Sequence, residues 1–177
     1  MMMFSQIWAV CAAGAAVAAI MGGAESIPEV DQDPEVTSLV KRASDAHNSL
    51  MKGDIETYRK AIQVTSDFVL MDPFGGKPTG APTSEAHWQR IGRFFKAGHN
   101  ATFQLIKAYR SADLVVLVAN EAANVAVGSL APQDWILRVT LVFRRDQGVW
   151  RLAHRHADPL VKGLTLEQAS KITLGSF

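Results

Sequence analysis

Between Asp33 and Met51 the apolar residues Val36, Leu39, Val40, Ala43, Leu50 and Met51 recur at spacings of three, four and seven. That period places them on one face of an α-helix. Asp33 supplies the N-cap, Pro34 occupies the first helical position and Glu35 sits in the first turn, each suited to a helix start. Gly53 stops the helix and Asp54 caps a second, short one with Ile55, Tyr58, Ala61 and Ile62 as its buried stripe. The spacing changes at Val64–Met71, which reads as a strand. It runs into Asp72-Pro73-Phe74-Gly75-Gly76, where Pro and two Gly force a turn. After Pro82, Thr83 or Ser84 caps a third helix carrying Trp88, Ile91, Phe94 and Phe95 on one side, with Gly98 expected to end it.

Beyond Asn100 the pattern becomes extended. Four strands are predicted, at residues 101–110, 114–127, 135–145 and 149–157, separated by turn residues at 111–113, 128–134 and 146–148. In the third of these the apolar side is Trp135, Leu137, Val139, Leu141 and Phe143, with Arg138, Thr140 and Arg144 opposite. In the last, strict alternation groups Trp150, Leu152, His154, His156 and Asp158 on one face, and Arg151 and Arg155 on the other. Because Trp150 and Leu152 mark the buried side, both histidines are expected to point inward. Helices first and a strand meander afterwards predict an α+β domain, with the helices on one face of a mostly antiparallel sheet.

The first 24 residues carry no charged side chain, and an Ala-rich apolar run ends in Gly22-Gly23-Ala24. This reads as a signal peptide, although Lys and Arg are missing from its start; an uncleaved membrane anchor is the competing reading. Residues 25–32 form a linker, 33–160 the domain and 161–177 a C-terminal tail. The expected location is periplasmic or secreted, with no membrane association after cleavage. Cys11 is the only cysteine and falls inside the segment to be removed, so the mature chain has no thiol for a disulfide, nucleophile or metal site. With 18 Lys plus Arg against 17 Asp plus Glu, no charge excess points to nucleic acid.

The order helix, Gly53-Asp54, short helix, strand, Asp72-Pro73-Phe74-Gly75, loop helix and meander closes in Gly148-Val149-Trp150-Arg151-Leu152-Ala153-His154-Arg155-His156-Ala157-Asp158. It resembles SnoaL-like and ketosteroid isomerase-like domains of the nuclear transport factor 2-like superfamily over residues 33–159. The resemblance implies a cone-like curved sheet wrapping three N-terminal helices, a pocket between them, and often a homodimer. Its members include isomerases, cyclases, hydrolases and binding domains, so the fold alone does not give the function.

Asp72 matches the aspartate that serves as general base in ketosteroid isomerase, where a carboxylate in an apolar pocket removes a proton beside a carbonyl. The oxyanion donors of that enzyme do not carry over: their positions fall near Ala46 and between Val139 and Leu141. The other reading of Asp72 is a turn aspartate bonded to backbone N–H groups. His154 is the second candidate for proton transfer. His156 is read as lining the pocket beside it, and Trp88 as a stacking surface at the mouth. Lys107 and Tyr109 share a face with Phe103 and Leu105 under strict alternation, so Lys107 meets an anionic ligand group if that face is concave. Two histidines two apart on a strand lie about 7 Å apart and Asp158 continues their face, but a zinc site wants at least three protein ligands and His87 could supply one only if the fold brings it close, so no metal is assigned. No cofactor motif occurs, and the expected partners are a small-molecule ligand and a second copy of the chain. Three functions stay open: a pocket that binds a small molecule, an isomerase, cyclase or lyase using Asp72 or His154, and a dimerising module.

Overall fold

The computed structural model describes residues 33–175. The expected signal peptide and the linker both lie outside the described residues. Helix α1 (Pro34–Met51) begins where Asp33 accepts the backbone N–H groups of Glu35 and Val36. Helix α2 (Ile55–Ala61) is capped by Asp54. Strand β1 (Val64–Met71), helix α3 (Glu85–Phe94), strands β2 (Phe95–Arg110), β3 (Leu114–Val127), β4 (Gln133–Asp146) and β5 (Val149–Pro159), and helix α4 (Leu166–Thr173) follow. The tail expected after residue 160 thus carries a short helix with a Thr165–Gln168 capping box, and this helix buries none of its side chains.

The strands form one curved, unclosed sheet in the order β1-β5-β4-β3-β2. Neighbours are antiparallel except β1, which runs parallel to β5. Helix α1 lies on the concave face, where Val36, Leu39 and Ala43 pack with Leu117, Leu141, Phe143 and Leu152. Its start is tied to the far hairpins by Glu35, which accepts Arg145 Nη2 at 2.7 Å and Trp150 Nε1 at 3.2 Å and also pairs with Arg110. The Trp150 and arginine donors hold its carboxyl below the usual range despite some desolvation.

Gly98 does not end α3. The helix stops at Phe94 and passes into β2 without a loop, six residues before the predicted strand. The early part of β2 gains two extra residues against β3, one between Lys96 and His99 and one between His99 and Thr102. Ala97 and Asn100 adopt positive φ there, at 54° and 53°, as bulged strands allow. Gly98 is needed for proximity: a Cβ on it would lie 2.3 Å from the Met51 carbonyl oxygen.

Two further bulges correct the assignment of faces. In β5, Phe143 pairs with Leu152 but the adjacent Val142 pairs with His154, leaving Ala153 as an extra residue. Residues beyond it therefore swap sides: Arg155 and Ala157 sit opposite the buried Leu141 and Val139, whereas His154 and His156 oppose Val142 and Thr140 on the outer face. In β2, Leu105 pairs with Ala119 and Lys107 with Val118, so Ile106 is extra. Lys107 and Tyr109 consequently leave the face of Phe103 and Leu105 and join the outer one. An added residue reverses every later side chain of a two-residue repeat, and no alternation rule carries across it. In β4 the expected inward row from Trp135 to Phe143 holds, because no bulge interrupts its pairing with β3.

Candidate functional site

The hollow between the helices and the concave face has a volume of about 420 Å³, within the usual range for small-molecule sites. Leu50 and Met51 at the end of α1, Tyr58 of α2, Phe68 and Leu70 of β1, the loop from Asp72 to Pro82, and Trp135 and Leu137 of β4 surround it. Helix α3 closes one side with His87, Trp88, Ile91 and Phe94. This explains why a helix with such a clear apolar stripe buries no residue fully: the stripe faces empty space. Phe74 joins two rings at one end, edge-on to Phe94 with centroids 5.6 Å apart and tilted against Trp135 at 5.8 Å. At the other end Trp88 approaches Tyr58, with centroids 6.3 Å apart, and carries the Arg59 guanidinium 5.0 Å above it.

Of the residues singled out in the sequence, Asp72 and Trp88 line this cavity, and so does His87. Asp72 uses one carboxylate oxygen to accept the Phe74 N–H at 2.9 Å, and its carbonyl accepts the Gly75 N–H at 3.3 Å. It is an Asx-turn residue at the rim. His154 and His156 are absent from the lining: their rings lie 6.4 Å apart on the outer face, where His154 Nδ1–H donates to the Val69 carbonyl at 3.0 Å. Asp158, on the same face, pairs with Arg138 at 2.6 Å. The sheet separates both imidazoles from His87, and among the described residues no three His, Cys, Asp or Glu side chains gather in a metal-holding group. Lys107 and Tyr109 are likewise outside, Tyr109 with 58% of its surface exposed.

Alternation through β5 missed the polar group that the cavity does contain. Arg155 lines it and forms a two-pronged ion pair with Glu121 of β3, at 2.9 and 2.7 Å. Glu121 also faces His47 of α1, whose Nδ1 lies 3.3 Å from a carboxylate oxygen while Nε2–H donates to the Ala122 carbonyl at 3.1 Å. Burial alone would raise the Glu121 carboxyl, but the Arg155 charge, the His47 contact and the Arg155 hydrogen bonds outweigh it and hold it well below the ordinary range. The same pairing overcomes the desolvation of Arg155 and raises its guanidinium. Burial pushes the Tyr58 hydroxyl up, so it stays a proton donor at neutral pH. Behind Tyr58 and Arg155 a second hollow of about 20 Å³, reached by His47 and Glu121, is large enough for one water.

Two members of this group were visible in the sequence. Val115, Leu117, Ala119, Glu121, Ala123, Val125 and Val127 form an unbroken inward row in which Glu121 is the single charge. A buried carboxylate requires a cationic partner. His47 lies four residues after Ala43 on the apolar stripe of α1, one helical turn further along.

A profile of the SnoaL-like domain matches residues 40–161. The chain belongs to the SnoaL-like domain family. No curated protein matches it. Among solved structures, a nuclear transport factor 2-like protein from Cytophaga hutchinsonii is 14% identical, covers 70% of this chain and 97% of its own, and superposes with a TM-score of 0.56. A nuclear transport factor 2-like superfamily protein from Salmonella enterica shows 15% identity, 74% and 97% coverage and a TM-score of 0.55. A provisionally assigned dehydratase of the same family from Streptomyces avermitilis shows 18%, 74% and 99%, and 0.54. At such identities the likeness concerns the fold alone, and it accords with the α+β architecture of this SnoaL-like chain.

Proposed function

We propose that this SnoaL-like chain is an exported domain that binds a small, partly apolar molecule in the cavity under α3. The observation that carries the reading is a helix whose apolar face is left to a hollow of about 420 Å³ and to no packed core. An unfilled apolar volume of that size forfeits dispersion contacts, and a ligand of matching shape restores them. Polar groups are few on the wall, and Tyr58 and Arg155 are two of them, an arrangement suited to orienting an otherwise apolar guest. Of the two residues considered for proton transfer, His154 faces away from the cavity and Asp72 is engaged by a turn N–H, so binding is favoured over isomerase, cyclase or lyase chemistry.

Native mass spectrometry of the gently purified full chain tests this directly. A co-purified small molecule, released by Trp88→Ala, is the expected result. An empty protein that also fails to bind any member of an aromatic fragment panel would refute it. The reading includes removal of residues 1–24 on export, checked by N-terminal sequencing of the secreted protein. It also includes a homodimer, supported by the outer-face residues Val69, Met71 and Ile136, each about 40% exposed, and checked by light scattering.

A further inference from the structure

The polar end of the cavity presents donors. A guanidinium carries five N–H groups in a rigid fork, and Glu121 occupies two of those of Arg155. No other hydrogen bond of Arg155 occurs among the described residues, which leaves three N–H groups. Exposure separates the partners: 17% of the Arg155 side chain is accessible, against 4% for Glu121. The cavity therefore meets the cation, with its counter-ion behind it. Glu121 also faces His47 Nδ1 at 3.3 Å, so the guanidinium is not its only polar neighbour. Tyr58 adds a hydroxyl with no protein partner among the described residues. The remaining ionisable groups on the wall are His87 and Arg90 of α3 and Asp72 at the rim, and the one acid among them already accepts a backbone N–H.

We infer that the cavity's ligand is a carboxylate with an apolar or aromatic body, its carboxylate received by the free N–H groups of Arg155 and the Tyr58 hydroxyl, and its body lying along Trp88, Ile91 and Phe94. Glu121 is then a positioning residue: its two bonds fix the plane of the fork from which Arg155 addresses the ligand. Planar two-pronged donors match a carboxylate in geometry as well as charge. The cavity volume leaves room for a body of two aromatic rings beyond the carboxylate.

This inference rests on the proposed binding function, and a matched probe pair separates the two. Biphenyl-4-carboxylate and biphenyl-4-carboxamide share shape and apolar surface but differ in charge. Titrated into the full chain by calorimetry, with tryptophan fluorescence as a second readout, the carboxylate should bind at least about tenfold more tightly, as charge-assisted hydrogen bonds imply. The double variant Glu121→Gln/Arg155→Gln keeps the packing without a bare buried charge, and should bring the ratio to about one while the amide affinity persists. Tyr58→Phe should lower carboxylate affinity more than amide affinity, because the charged acceptor gains more from the hydroxyl. Equal binding of both probes to the unaltered protein would overturn the carboxylate inference and leave the pocket function standing. Binding of neither would overturn the carboxylate inference, and an empty protein that also fails the fragment panel would overturn the pocket function with it. Because the first comparison needs no variant, the inference stays testable if a substitution unfolds the domain.

Discussion

Replacing Arg155 by methionine isolates the buried cluster that organises the polar end of the cavity. The aliphatic stem is largely retained, and Glu121 loses hydrogen bonds of 2.9 and 2.7 Å. With a side chain only 4% exposed, the carboxylate gains little water in exchange, and His47 Nδ1, 3.3 Å away, is the polar neighbour that remains. Removing one partner of a buried ion pair costs about 3–5 kcal/mol. For a domain of this size each kcal/mol lowers Tm by roughly 2–4 °C, so the expected drop is roughly 6–20 °C. Replacing both partners, as Glu121→Leu/Arg155→Met, removes the uncompensated charge and should restore stability to within about 1 kcal/mol of the parent, since buried pairs barely exceed their own desolvation cost. Urea unfolding at pH 7, followed by circular dichroism, measures both variants, with an unchanged m-value confirming that Cm reports stability. A loss below about 1 kcal/mol in Arg155→Met, or a double variant as unstable as the single one, would refute the account of this cluster.

The cluster also has a pH signature. The Glu121 carboxyl lies well below its ordinary value of 4.5 in the folded protein, so its contribution is complete above that value and drains away as pH falls toward the folded pKa. The Cm of the parent should therefore fall steadily below pH 4.5. The double variant should show a shallower decline, the remainder coming from other lowered carboxylates such as Glu35 and Asp67.

Further outcomes are expected elsewhere. Asp67 should titrate at about 2 by carboxyl NMR, because the Arg144 hydrogen bonds, aided by Thr65, favour its ionised form; Arg144→Gln should move the midpoint up toward 3.8. Gly98→Ala should destabilise by about 1–3 kcal/mol in urea, as overpacking does, because the added methyl meets the Met51 carbonyl at 2.3 Å. Asp33→Ala should cost about 1 kcal/mol for the lost cap, visible as a lower Cm, because two helix N–H groups lose their acceptor.

Helix starts, the apolar stripes of α1 and α3, the strand meander and the buried row of β4 were legible because each depends on a local period or a capping residue. Ser84, for instance, is one of the two caps predicted for α3, and its hydroxyl oxygen accepts the His87 N–H at 3.2 Å. What failed was extrapolation along a strand. Nothing in Leu152-Ala153-His154 marks Ala153 as surplus, since alanine fits either face and the extra residue is defined only by its partners in β4. Ile106 misleads in the same way, being apolar yet 53% exposed. Glu121 needed no such help: one acid in a seven-residue buried row implies a buried cation. That requirement conflicts with the outward side that strict alternation gives Arg155, and the ion pair resolves it.

The misread positions and the site share a physical origin. A sheet must bend to enclose a hollow, and strands bend where an extra residue disrupts the ladder and increases the local twist. At Ala153 that residue turns Arg155 toward Glu121 and sends His154 and His156 outward. It therefore decides that the cavity presents an arginine, always charged, in place of imidazoles that change charge near neutral pH. Alternation is most secure where the ladder is continuous, as in β4 against β3, and least secure in β5, whose extra residue precedes the polar anchor. In a cone of this kind an inward charge inferred by parity should be tested against each buried opposite charge before it is assigned a side. Here the single inward acid of β3 chooses Arg155.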